Sequence, residues 1–167
     1  MRRLVRSACI GALLLGVLAP ATSIAHPVEE RTKFEATLTG AEEVPPVTTE
    51  GSGFAKLQLV EDGTEVQFLV VVKRLTDVVQ AHIHLGPVGV NGPVVAFLLH
   101  PGETPPGRSS GVLARGTFTE ADLIGPLLGQ PLSALVAEMT AGNTYVNVHT
   151  VAFPGGEIRG QVALVDD

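Results

Sequence analysis

The feature that most constrains the fold is a turn between two segments of alternating hydrophobicity. In residues 54–60 and again in residues 65–72, apolar side chains occupy every second position, as on a half-buried β-strand. Between the two segments lies Asp62-Gly63, a pair that supplies the positive φ angles of a tight hairpin. The sequence therefore predicts two antiparallel strands, each with one face in a core.

The same pattern recurs along most of the chain. Glycine (19 residues) and proline (12 residues) separate the alternating runs, and this spacing favours short strands joined by turns. A helix start is predicted at 119–122, where Thr119 can cap free amides, and a second short helix is predicted over 131–141. We therefore predict an all-β fold, an antiparallel Greek-key-like sandwich or flattened barrel with a short helical insert. Its strands are predicted at 33–39, 54–60, 65–72, 78–85, 94–99, 112–118, 144–150 and 157–164.

The first 25 residues have the layout of a secretory signal peptide. Three arginines in the first six residues precede an apolar run over 8–19, and Ser23-Ile24-Ala25 provides small residues at a cleavage site. Residues 1–25 are predicted to be removed, 26–32 to form a flexible lead-in, and 33–164 to form one domain. The mature protein is expected to be secreted or periplasmic.

Charge and composition exclude several classes of partner. Without the three leader arginines, eight basic residues stand against seventeen acidic ones, a net charge of −9, and no basic cluster remains to attract nucleic acid. The only cysteine, Cys9, lies in the leader, so no disulfide is expected in the mature chain. No second apolar run is long enough for a stable membrane span. The expected partner is an extracytoplasmic protein or a metal ion.

Three histidines form the candidate site. His82 and His84 lie two positions apart on a predicted strand, so both point to the face opposite Ala81 and Ile83. A later strand, 145–150, carries His149 on its polar face. Neutral imidazoles are good ligands for copper and zinc, and these are the cofactors to consider. The three rings could meet only if the two strands are neighbours or nearly so, since paired strands lie about 4.8 Å apart.

A hydrogen-bond network is the alternative interpretation of the same residues, and the sequence favours it over a metal site. Each imidazole would bond backbone carbonyls or Asn147 and hold the surrounding loops. Asn147, Glu157 and Arg159 are the other candidate structural or binding residues. Glu157 and Arg159 lie on the same side of the last predicted strand, so an ion pair is expected between them.

Three motifs in order resemble the CHRD domain family, a module named after the extracellular antagonist chordin and carried singly by many exported bacterial proteins. The resemblance covers 33–162 and implies an extracytoplasmic domain, but no particular activity. A weaker likeness to copper/zinc superoxide dismutase lies in the His-x-His strand followed by a later histidine, and it implies the shape of the fold alone. The motifs are GAEEVPPV at 40–47, AHIHLG at 81–86 with NGPVV at 91–95, and YVNVHT at 145–150 with PGGEIRGQ at 154–161.

No complete catalytic set is recognisable, because no nucleophile is paired with a base and no close pair of carboxylates is predicted. The first functional hypothesis is therefore a non-enzymatic, exported CHRD-domain protein that binds or scaffolds a partner outside the cytoplasm. The second is a copper- or zinc-binding, metalloredox protein that uses His82, His84 and His149.

Overall fold

The structure is a computed structural model, and it describes residues 32–60, 62–104 and 106–165. The predicted signal peptide (1–25) and most of the lead-in lie outside this part of the chain. The described residues form strands β1 Lys33–Thr39, β2 Ser52–Leu59, β3 Glu65–Thr76, β4 Val78–Leu85, β5 Val94–Leu99, β6 Arg108–Thr119, β7 Thr144–Thr150, β8 Ile158–Gln161 and β9 Ala163–Leu164, with one α-helix, α1 Leu132–Thr140.

All the strands belong to one antiparallel sheet. Their order is β5-β4-β7-β8-β1-β2-β3-β6, and β9 pairs with β1 beside this path. Strands β5 and β6, at the two ends of the order, approach each other, so the sheet curls into a nearly closed, flattened barrel. The prediction of an all-β antiparallel fold with a short helical insert is confirmed.

The hairpin that the sequence predicts around Asp62-Gly63 is present. Leu59 of β2 pairs with Val66 of β3, and the amide of Val60 donates to the carbonyl of Glu65. Gly63 has a φ of 70°, a conformation that costs glycine little. Asp62 Oδ1 accepts from the amide of Thr64 at 3.0 Å, which fixes the turn locally.

The helical insert is shorter than the sequence predicted. Thr119 caps as expected, accepting from the amide of Ala121 while Asp122 accepts from the amide of Thr119, but the segment Glu120–Asp122 makes a single 3-10 turn. Leu123 ends the turn with extended backbone and is buried in the core. The α-helix over 132–140 is confirmed, with Leu132, Leu135 and Met139 buried.

The last predicted strand, 157–164, is divided in two. Residues 158–161 pair with β7 as β8, and residues 163–164 pair with β1 as β9. Val162 lies between the two segments, with its side chain in the core and its amide donating to the carbonyl of Thr144.

The core lies inside the barrel and is formed by the inward positions of the strands together with the buried face of α1. Strand β7 is buried on both faces, because loops cover its outer side. Within the described residues, no helix combines the length and the apolar character that crossing a membrane requires.

Candidate metal centre

Strands β4 and β7 bring the three histidines together. The two strands are antiparallel neighbours, with His82 opposite Asn147 and Gln80 opposite His149. Ala81 and Ile83 point into the core, so the intervening His82 and His84 lie on the outer face. The condition set by the sequence, that the two histidine strands be neighbours, is met.

The ring nitrogens converge on a small volume. Nδ1 of His82 lies 3.2 Å from Nε2 of His149. One nitrogen from each of His82, His84 and His149 lies within 4.8 Å of the other two. Nitrogens bound to one tetrahedral ion at about 2.0 Å lie roughly 3.3 Å apart, so a small adjustment of His84 would complete three-coordinate geometry.

Hydrogen bonds to backbone carbonyls orient two of the rings. Nδ1 of His84 lies 2.9 Å from the carbonyl oxygen of Gly92, and Nδ1 of His149 lies 2.9 Å from that of Pro154. A carbonyl only accepts, so both Nδ1 atoms carry the proton and both Nε2 atoms are unprotonated; that of His149 faces Nδ1 of His82. This is the arrangement by which metal-binding histidines are commonly held. Nε2 of His84 is buried and has no hydrogen-bond partner.

Burial keeps the three imidazoles neutral. Burial, followed by repulsion from His149, His84 and His100, lowers the pKa of His82 from 6.5 to about 3. Burial also lowers the pKa of His84 and that of His149, although the carbonyl of Gly92 and that of Pro154 partly oppose this effect. Neutral imidazole is the form that binds a metal, so the site is ready at neutral pH without releasing protons.

Aromatic rings surround the cluster. Tyr145 stacks on His84 with ring centroids 4.7 Å apart, and the guanidinium of Arg159 lies 3.4 Å from the centre of the tyrosine ring. On the other side, Phe97 contacts His82 edge-on with centroids 4.6 Å apart. These contacts hold two of the rings in place and exclude water from them.

A buried carboxyl group lies beside the cluster, and the sequence analysis did not identify it. Nδ2 of Asn147 donates to Oε2 of Glu43 at 3.3 Å, while Oε1 of Glu43 and Oδ1 of Asn147 are buried without partners. Burial raises the pKa of Glu43 to about 7, although Arg159 and Asn147 act in the opposite direction. Glu43 lies in the GAEEVPPV motif at 40–47, which carries the family resemblance but gives no signal for a buried carboxyl group.

The expected ion pair between Glu157 and Arg159 is wrong. Glu157 accepts from the hydroxyls of Thr49 and Thr150 at 2.6 and 2.7 Å. Arg159 donates instead to Asn91 Oδ1 and to the carbonyls of Pro87 and Val90, and so anchors the 86–93 loop above the sheet. Both side chains are structural: Arg159 holds the 86–93 loop, and Glu157 joins the loop that contains Thr49 to Thr150 of β7.

The fold and the site define a class: an antiparallel β-barrel domain with a buried cluster of three histidines on its outer face. The chain belongs to the CHRD domain family, whose model matches residues 34–162, nearly all of the described barrel. No curated protein and no solved structure matches the chain.

Proposed function

We propose that this protein binds one copper or zinc ion through His82, His84 and His149, and that it does so as a non-enzymatic domain outside the cytoplasm. Imidazole nitrogen is a favoured ligand of both metals. Three histidines leave a coordination position for a water molecule or an external donor. The sequence ranked a general binding or scaffolding role above metal binding, and the convergence of the three imidazoles supports the metal-binding hypothesis.

The observation that carries the proposal is the unpartnered Nε2 of His84. A pure hydrogen-bond network accounts for the bond between His82 and His149 and for the two bonds to carbonyls, yet it leaves this buried lone pair unused. Leaving a buried polar atom without a partner costs about 1–3 kcal/mol. An ion shared by the three rings removes that cost and explains why the ligand atoms lie within 4.8 Å of one another.

Asparagine substitutions separate the two interpretations. The side-chain amide of asparagine can replace Nδ1–H of histidine as a donor, but it has no atom at the Nε2 position. His84→Asn and His149→Asn should therefore keep the bonds to Gly92 and Pro154, and each substitution removes one ligand from the metal site. Gln80→Asn is the matched control, because Gln80 lies on the same strand as His84 and supplies no ligand.

The test is calorimetric titration of untagged, metal-free protein with Zn²⁺ and with Cu²⁺. One-to-one binding is expected in the wild type and in Gln80→Asn. In His84→Asn and His149→Asn the metal affinity should fall by at least about tenfold. Metal at 100 times its dissociation constant should stabilise the wild type by about 2.7 kcal/mol. Equal binding by the wild type and His84→Asn, or no saturable binding by the wild type, would overturn the proposal in favour of the network.

The extracytoplasmic setting rests on the layout of residues 1–25, with its arginines, apolar run and small residues. It agrees with the extracytoplasmic setting that the resemblance to the CHRD domain family implies.

A further inference from the structure

A cleft opens where the two ends of the sheet meet. Strand β5 pairs only with β4 and strand β6 only with β3, so within the described residues the facing edges of β5 and β6 are not joined to each other. The cleft has a volume of about 680 Å³. Its walls include Phe68, Phe97, His100, Glu103, Leu113 and Arg115.

One side chain lies between this cleft and the histidine cluster. The half-buried ring of Phe97 contacts His82 edge-on at 4.6 Å and stacks on His100 at 4.5 Å, measured between centroids. Phe97 and His100 line the cleft, whereas His82 is only 3% exposed and does not line it. The rings therefore run in series from the exposed His100 through Phe97 to the buried His82.

The other approaches to the cluster are occupied. Tyr145 covers one face of His84, and the carbonyl of Gly92 binds its Nδ1. The 150–157 loop covers His149 through the carbonyl of Pro154. An ion that reaches the three nitrogens with the least rearrangement would pass the ring of Phe97.

We propose that the cleft between β5 and β6 is the entry route for the metal ion, with His100 as the first donor at its mouth and Phe97 as the gate. This inference rests on the metal centre proposed above and adds two residues to it. His100 is exposed, and its imidazole can replace a water ligand of an incoming ion. Glu103 Oε2 accepts from the amide of His100 at 2.9 Å, which places a carboxylate on the same turn.

The position of Phe97 suits a gate. Strand β5 pairs with a neighbouring strand on one side only, and on its other edge the amide of Ile124 donates to the carbonyl of Val95. Its pairing with β4 is interrupted by register shifts on both sides of the His82–Phe97 pair. An edge strand with an irregular ladder opens locally at a lower free-energy cost than an interior strand. A small displacement of β5, or a rotamer change of Phe97, would connect the cleft with His82.

Tyr145 provides an intrinsic probe of the site. It is the only tyrosine in a chain without tryptophan, and it stacks directly on His84. Bound Cu²⁺ should quench its fluorescence, so stopped-flow mixing with Cu²⁺ gives the association rate and mixing with excess chelator gives the dissociation rate. The variants are Phe97→Leu and His100→Asn, compared with Phe68→Leu, which alters the same cleft away from the histidines.

Phe97→Leu should raise the association and dissociation rates together by about tenfold, because a lower barrier affects both directions equally. Its dissociation constant should stay within about threefold of the wild-type value. His100→Asn should slow association several-fold, and Phe68→Leu should leave both rates unchanged.

If the wild type binds Cu²⁺ but Phe97→Leu and Phe68→Leu have identical rates, the entry route is wrong. The metal centre proposed above would still hold. If the wild type shows neither saturable quenching by Cu²⁺ nor saturable calorimetric binding of Zn²⁺ or Cu²⁺, both proposals are overturned. Far-ultraviolet circular dichroism establishes that each variant is folded before its rates are compared.

Discussion

Nδ1 of His82 lies 3.2 Å from Nε2 of His149, although 67 positions separate the two residues in the chain. The distance follows from the pairing of β4 with β7, which sets Gln80 opposite His149 and places the two rings diagonally on one face. Burial, and after it repulsion from His149, His84 and His100, lowers the pKa of His82, so protonation of this ring is unfavourable in the folded protein.

Stability should therefore depend on pH through these histidines. Because the folded pKa of His82 is about 3, well below the ordinary 6.5, the unfolded chain binds a proton that the folded chain excludes between these values. The stabilising contribution of neutral His82 is complete above pH 6.5 and is lost as the pH falls toward 3.

His82→Asn removes this pH-dependent contribution of His82 to stability. The wild type should lose about 3 kcal/mol of unfolding free energy relative to His82→Asn between pH 7.5 and pH 4.5. Urea unfolding of metal-free protein at several pH values measures the difference. Parallel curves for the two proteins would show that His82 titrates normally in the folded state.

Glu43 should act in the opposite direction. Its folded pKa of about 7 lies above the ordinary 4.5, so the folded chain holds a proton that the unfolded chain releases between these values. The contribution of this proton is complete below pH 4.5 and is lost as the pH rises through 7.

Glu43→Gln keeps the shape of the side chain and removes its titration. The wild type should gain about 3 kcal/mol relative to Glu43→Gln as the pH is lowered from 7.5 to 4.5. The same urea series measures this gain. A difference that does not change with pH, or one that changes with the opposite sign, would mean that Glu43 is ionised throughout.

Gly156 closes the pocket around Glu43 and Asn147. A Cβ at this position would lie 2.5 Å from Oδ1 of Asn147 and 2.6 Å from Oε1 of Glu43, and the residue has a φ of 125°. Gly156→Ala should therefore destabilise the protein by about 3 kcal/mol through overpacking and backbone strain. Gly155→Ala is the matched control, because its Cβ would meet nothing within 4 Å. Equal thermal stability of the two variants would contradict this packing.

Export is tested on protein from its native source. Intact-mass measurement should give a chain beginning at His26, because the predicted cleavage site follows Ala25. A soluble product that retains residues 1–25 would contradict the predicted signal peptide.

The sequence alone determined the strands, because alternation and turn residues are local properties. The Asp62-Gly63 hairpin and the strands 33–39, 78–85 and 94–99 are correct. The first two of these strands contain a clear alternation, and the third is a short apolar run between Pro93 and a segment rich in proline and glycine. Thr119 was correctly identified as a cap, but a cap does not set the length of the helix that follows it. The burial of Leu123 in the core sets that length, and burial is a tertiary property.

The tertiary structure decided the site. The alternation of β4 and β7 fixed the face on which the histidines lie, but only the order of strands in the sheet made them neighbours. Glu43 reaches Asn147 across 104 residues, and Arg159 bonds a loop 68–72 residues away in place of Glu157, two residues away. Period and turn chemistry depend on adjacent residues and can be read from the sequence. Contacts between distant loops depend on how the nearly closed barrel packs them over one face. The low dielectric around the imidazoles and the unpartnered Nε2 of His84 depend on the same packing.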